Sequence, residues 1–308
     1  FEASFGNGKP TEICCMKIGL LDVDSKIPNL ALMKISAWHK LQGDTIEHYM
    51  PLAHSLYDKI YASKIFNFSD GSDLQDDMIT GGTGIDLKIN LSTEIEKMEP
   101  DYSFYNYPHN IGFAMRGCRF KCDFCVVPEK EGKPKSSNTI AELWTQRSSD
   151  FLVLLDNDFF GNPDWADRIA EIKELNLKVN FNQGLNIRII SQRQAEALAS
   201  VKFRNLKNTS KQVTFAWDQI DNEKVIKRGF QRVVDAGIKP YQMQFYVLIG
   251  FDSSPEEDMH RVMMLRGWGC DPFVMPYDRT VPYQRKFARW VNHRAVFKSC
   301  TWAEYANA

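Results

Sequence analysis

Ile111-Gly112-Phe113-Ala114-Met115-Arg116-Gly117-Cys118-Arg119-Phe120-Lys121-Cys122-Asp123-Phe124-Cys125 joins an apolar run to three cysteines within eight residues. The run Ile111–Arg116 reads as a strand. A buried strand that opens into a polar loop is how parallel α/β proteins present chemistry, at the carboxyl ends of their strands. Three thiolates in one short loop can bind three irons of a cubane cluster and leave a fourth iron open. An open position distinguishes a catalytic metal from a closed structural one. Arg119 and Lys121 would offset part of the negative charge of thiolates and sulfides. Two other uses of the same thiols stand beside this one. A zinc ion could take Cys118, Cys122 and Cys125 with His109 or Cys270, although the spacing is not a paired CxxC arrangement. An electron-transfer cluster would want a fourth cysteine, for which Cys270 is the candidate. Cys270 and Cys300 otherwise read as small buried hydrophobes.

Downstream of the loop, strand and helix patterns alternate. Candidate strands after Ile111–Arg116 are Phe151–Asp156, Leu177–Asn182, Val213–Trp217, Met243–Ile249 and Asp271–Pro276. Helical patterns fall at Thr139–Arg147, Pro163–Leu175, Gln192–Val201, Glu223–Ala236 and Glu256–Arg266. Six strand–helix units in order predict parallel strands with right-handed crossovers, a series that curls towards closure. Residues 110–276 are therefore expected to form a partial (β/α)6 TIM-like barrel. Polar groups close several of the strands. Leu154-Leu155-Asp156-Asn157-Asp158 suits a cationic ligand, a divalent cation or an Asx turn. Asn182, Gln183 and Arg188 follow the third strand, and Arg is suited to bidentate carboxylate binding. Trp217 and Asp218 end the fourth, Val247-Leu248-Ile249-Gly250-Phe251 the fifth, and Tyr277 and Asp278 the sixth. Residues 277–308 read as a basic-aromatic helical tail with Arg285, Arg289, Trp290, Arg294 and Phe297.

Upstream, Met16-Lys17-Ile18-Gly19-Leu20-Leu21 looks like a natural start entering a buried strand, Lys17–Val23. Residues 1–15 read as an artificial or flexible extension, with Cys14 and Cys15 incidental. A helix over Asn29–Leu41 closes at Gly43. Asp44–Tyr49, Asp58–Phe66 and Met78–Thr80 are further strand candidates, the last running into Gly81-Gly82-Thr83-Gly84. Residues 16–92 thus predict a small open α/β domain, and residues 93–109 a connection.

Composition is that of a globular chain, with 44% hydrophobic and 25% charged residues and a net charge of -1. Seven cysteines in 308 residues do not make a disulfide scaffold. No apolar stretch is long enough for a membrane span and no leader opens the chain, so a cytoplasmic protein is expected. Charge is uneven. Residues 1–112 carry 9 Lys/Arg against 16 Asp/Glu, whereas the last 32 carry 6 against 2. The basic end reads as a solvated surface or as a face for an anionic partner.

CxxxCxxC with an aromatic residue before the last cysteine resembles the signature of the radical S-adenosylmethionine (SAM) superfamily, over roughly residues 110–276. The resemblance implies a 4Fe-4S cluster on Cys118, Cys122 and Cys125. Its open iron would chelate the amino and carboxylate groups of SAM, and reductive cleavage would yield a 5′-deoxyadenosyl radical. Asp156, Asn157 and Asp158 would hold the SAM amino group. Asn182, Gln183 and Arg188 would contact its carboxylate or the substrate, Asp218 its ribose and Ile249 its adenine. An external flavodoxin- or ferredoxin-like electron donor is implied, with an unidentified substrate, nucleic acid and peptide among the candidates. The N-terminal domain is similar to a shortened cobalamin-binding domain, with Gly81–Gly84 at the glycine turn and methyl transfer as one implied outcome. The Asp-x-His-x-x-Gly pattern is absent from Asp22-Val23-Asp24-Ser25-Lys26-Ile27, and a degenerate domain serving packing or substrate binding is the other reading. A second functional class is a nucleic-acid- or protein-binding module with a structural or redox-sensing cluster, in which Arg289, Trp290, Arg294 and Trp302 would meet the partner.

Overall fold

The computed structural model describes residues 15–307. Cys14 and nearly all of the extension read at 1–15 lie outside the described residues, and Cys15 is exposed. The chain divides after Pro108 into two compact units.

The first unit is a parallel sheet of four strands: β1 (Lys17–Asp22), β2 (Thr45–His48), β3 (Lys59–Ser63) and β4 (Ile79–Gly81), in the order β2-β1-β3-β4. Helix α1 (Leu30–Leu41) connects β1 to β2. It starts at Asn29 because that side chain accepts from the N–H groups of Ala31 and Leu32 at 3.1 and 3.2 Å. Ile18, Leu20, Leu32 and Ile35 form the core between sheet and helix. The stretch read as a connection carries α2 (Thr93–Glu96) and packs within this unit. Ser36 donates to Asp101 and Tyr105 to Asp22, both at 2.6 Å. The glycine turn is occupied by the chain's own backbone. A Cβ on Gly82, whose φ is +99°, would stand 2.2 Å from the Lys64 carbonyl oxygen, and one on Gly84 2.7 Å from the Phe66 backbone.

The second unit holds two parallel sheets. One contains β5 (Asn110–Gly112), β8 (Phe151–Leu154), β9 (Lys178–Phe181) and β10 (Lys202–Phe203), in the order β10-β9-β8-β5. The other contains β11 (Val213–Ala216), β12 (Met243–Ile249) and β13 (Asp271–Pro276), in chain order. A parallel bridge between Leu185 and Phe215 links the two. Between β5 and β8 lie β6 (Met115–Arg116), α3 (Val127–Lys130), β7 (Lys135–Ser136) and α4 (Ile140–Leu143). Helices α5 (Trp165–Glu174), α6 (Gln192–Ala199), α7 (Glu223–Asp235) and α8 (Pro255–Gly267) supply the crossovers. Their starts are written in the sequence: Ser191 with Gln194 and Ser254 with Glu257 form capping boxes. One apolar core runs from Leu152 and Phe181 through Phe215 and Phe245 to Trp290.

Three expectations are corrected. The run Ile111–Arg116 is not one strand: β5 pairs with β8, whereas Met115 and Arg116 turn away to pair antiparallel with Ser136 and Lys135. The tail is three helices, α9 (Pro282–Asn292), α10 (Arg294–Ser299) and α11 (Trp302–Asn307). Its aromatic residues belong to the core: Phe287, Trp290 and Phe297 are buried, and Trp302 packs against Tyr283, Phe287 and Trp290. Stacking on bases by Trp290 and Phe297 is therefore closed off. Strand β10, unread in the sequence, extends the first sheet beyond β9.

Candidate functional site

The cysteine loop leaves β6 and returns through β7, so a two-residue antiparallel ribbon closes its stem. Gly117, at φ +85°, lets the return strand lie close: a Cβ there would stand 2.3 Å from the Lys133 carbonyl oxygen. The Cys118 N–H donates to the Gly132 carbonyl at 3.1 Å, and the Cys125 N–H to that of Cys122 at 2.9 Å. Cys118, Cys122 and Cys125 are free and half-buried. Burial pushes the Cys118 and Cys125 thiols up, and the neighbouring thiolates add to the effect. Backbone N–H groups oppose it. That of Phe120 points at the Cys118 sulfur, 3.4 Å away, and that of Val127 serves Cys125.

The carboxyl end of β8 faces this stem, and nearly every polar side chain there binds it. Asp156 accepts the Ala114 N–H at 2.8 Å. Asn157 donates to Glu131 at 3.1 Å, and Glu131 accepts the Gly117 N–H at 2.8 Å and pairs with Arg116 at 3.2 Å. Asp158 takes the guanidinium fork of Arg119, Nε at 2.6 Å and a terminal nitrogen at 2.7 Å, together with the Arg119 N–H at 3.2 Å. Asn162 donates to the Ala114 carbonyl at 3.3 Å and accepts from Ser136 at 2.7 Å. One oxygen remains over: Asp156 Oδ2 is buried without a hydrogen-bond partner. Burial pushes the Asp156 carboxyl up to about 7, against the pull of the Ala114 and Met115 N–H groups.

The other expected residues divide. Arg188 lies over the Phe120 ring at 4.2 Å, which brings it to the cysteine loop. Asp218 accepts the Leu248 N–H at 3.3 Å. Burial raises its carboxyl, with Leu248, Arg261 and Arg188 pulling the other way. Gln183 is exposed and Asn182 partly so at the end of β9, where the Asn182 carbonyl accepts from Tyr246 at 3.1 Å. Ile249 is fully buried in the core, so its side chain is packing rather than surface.

Two features escaped the sequence reading. Phe124 meets Phe251 edge to face at 5.4 Å, and Phe251 meets Tyr277 at 4.9 Å, so the loop touches the end of β12 and, through it, that of β13. Arg261 and Asp258 form a fully buried pair at 2.6 Å, and Arg261 also donates to the carbonyls of Trp217 and Asp218. An aromatic residue beside the last cysteine was the available signal for the first. For the second, only an Asp and Arg three apart on a helix face could have hinted at it.

Among the described residues, no three His, Cys, Asp or Glu side chains are gathered tightly enough for one metal ion. A single zinc on the three cysteines with His109 or Cys270 needs such a gathering. A cubane cluster would seat each thiolate on a different iron; the structure shows Cys118, Cys122 and Cys125 as free, half-buried thiols in one loop, with N–H groups aimed at the sulfurs of Cys118 and Cys125, and no group gathered to hold a metal among the described residues. The glycine turn of the first unit does not fit a cofactor in the same way, because Lys64–Phe66 fill the space its glycines leave. No family model, no curated protein and no solved structure matches the chain.

Proposed function

We propose that the chain is a radical SAM enzyme whose second unit is a partial barrel made of its two parallel sheets. The observation that carries this reading is a loop of three free, half-buried thiols pinned to the carboxyl end of a parallel strand. Cys118, Cys122 and Cys125 would hold a 4Fe-4S cluster through three irons. With SAM bound, that cluster would supply the electron that cleaves the sulfonium reductively to a carbon-centred radical. The chain's own residues do the rest. Asp156 offers its unpartnered oxygen to the ammonium group of SAM. Arg188, held over Phe120, offers a guanidinium to a carboxylate. Asp218 and Gln183 line strand ends suited to hydroxyl groups. Phe124, Phe251 and Tyr277 form an apolar rim that keeps water from the reacting centre. The electron comes from an external flavodoxin- or ferredoxin-like donor, and the substrate is a molecule that reaches this rim.

The test is anaerobic reconstitution with iron, sulfide and SAM under a strong reductant. The expected result is 5′-deoxyadenosine formation that disappears in Cys122→Ala. Retention of about four irons without SAM binding or cleavage would favour a structural or redox-sensing cluster. Binding of one zinc and no iron would overturn the proposal.

A further inference from the structure

Helices α9 and α10 carry charge of one sign only. Their charged residues are Arg285, Lys286, Arg289, Arg294 and Lys298, all of them exposed cations. Helices α5 to α8 each mix both signs, and the two lysines of α1 are paired, with Glu96 at 2.9 Å and Asp101 at 2.7 Å. On the cationic face, Arg294 pairs with Asp271 at 2.9 Å and Lys286 donates to the Ala306 carbonyl at 2.7 Å. The side chains of Arg285, Arg289 and Lys298 have no hydrogen-bond or ion-pair partner among the described residues. The two acids of residues 277–308, Asp278 and Glu304, are each taken up by a neighbouring threonine. Arg285 and Arg289 stand one turn apart on one face. Phe287, Trp290 and Val291 are buried on the other, which fixes the cations outward.

We propose that this face of α9 and α10 binds the phosphate backbone of a nucleic-acid duplex. Cations that the protein leaves unpaired gain most from a polyanion, because their binding releases counterions condensed on it. From Arg285 to Arg289 the helix advances roughly 6 Å. A duplex carries one phosphate per about 1.7 Å of its axis, so neighbouring cations meet separate phosphates. The contact positions without reading sequence. A single strand is the poorer partner: the rings it would stack on, Trp290 and Phe297, are buried. A membrane surface also fits less well. Among the described residues, no large apolar side chain after Tyr277 is exposed to enter the acyl boundary. The inference is independent of the cysteine loop.

The test is fluorescence anisotropy of fluorescein-labelled, mixed-sequence duplexes, one of DNA and one of RNA, titrated with the full chain at several salt concentrations. With four phosphate contacts, from Arg285, Lys286, Arg289 and Lys298, affinity should fall roughly a hundredfold between about 50 and about 200 mM salt. That result with either duplex supports the proposal, and the tighter of the two names the backbone. Arg285→Ala/Arg289→Ala should weaken binding roughly tenfold or more at the lower salt and reduce the slope of log Kd against log salt by about 2. Its urea midpoint should match wild type, since both side chains are exposed and unpaired. Lys173→Ala/Lys224→Ala removes the same charge from exposed positions elsewhere in the second unit and should leave affinity and slope nearly unchanged. Equal losses in the two double variants would reduce the effect to net charge and overturn the proposal. So would tighter binding of the labelled single strand, absence of duplex binding at about 50 mM salt, or binding to phosphatidylserine vesicles without binding to either duplex.

Discussion

Both units place acids at the carboxyl end of a parallel strand, yet the two sets of acids are finished differently. After β1, Asp22 accepts from Tyr105 and from the Ser25 N–H, and Asp24 accepts the N–H groups of Ile65 and Phe66 at 2.7 and 2.8 Å. Burial pushes the Asp24 carboxyl up, but those N–H groups, Ser69 and Lys64 pull it below its ordinary value. After β8, Asp156 is left with a buried, unpartnered oxygen and a carboxyl pushed up to about 7. The first strand end is closed by its own chain. The second has polar capacity left over, beside three thiols. Incomplete satisfaction at a strand end, rather than acidity, marks the place where a ligand has something to complete.

That contrast can be broken most severely at Arg261. Removing its charge in Arg261→Met leaves Asp258 buried and frees the carbonyls at the end of β11. A loss of about 3–5 kcal/mol is expected. Tryptophan fluorescence in a urea titration reads it well, because only Trp38 of the seven tryptophans lies in the first unit. A loss below about 1 kcal/mol would mean that the second unit does not depend on the buried Arg261–Asp258 pair.

Asp156→Asn comes next. The folded state keeps a proton on Asp156 that the unfolded chain gives up in the ordinary carboxylate range. Stability is therefore lost as pH rises from that range towards 7. Over about three pH units this amounts to roughly 4 kcal/mol at most. Asp156→Asn should match wild type at pH 4 and exceed it at pH 8 in denaturant midpoint. A constant difference at both would show that Asp156 is ionised throughout and that the contrast with Asp24 is false.

Asp24 carries the opposite sign. Its depressed carboxyl contributes stability above the ordinary range and loses it as pH falls. Asp24→Ala should cost about 1–3 kcal/mol, seen as faster hydrogen exchange at the Ile65 and Phe66 amides. Unchanged protection would mean that the turn closes without the acid. The smallest effect is expected at Arg289, exposed on α9. Arg289→Ala should change stability by no more than about 0.5 kcal/mol.

Much of this was legible in the sequence because it is local. The apolar runs of β1, β8, β12 and β13, the helix that closes at Gly43, and the cysteine spacing are all set by neighbours a few residues apart. What could not be read is long-range. Asp158 looked free because its partner Arg119 stands 39 residues earlier. Met115 and Arg116 continue an apolar run, and only pairing with Lys135 and Ser136 shows that the chain has turned. Ile249 was ambiguous because an apolar strand end serves a core or a ligand equally well. The basic-aromatic tail misled because exposed arginines and buried aromatic residues alternate on one amphipathic helix, α9, as they do on any core-facing helix.

The narrow stem of the cysteine loop has a consequence for inheritance. Gly117 is bonded to Glu131, and Glu131 and Arg119 are held by Asn157 and Asp158 after β8, whereas Lys121 and Asp123 are exposed at the tip. Substitutions that survive selection should gather at Lys121 and Asp123 and spare the stem, so that related chains differ in loop surface while keeping the same hold on β8.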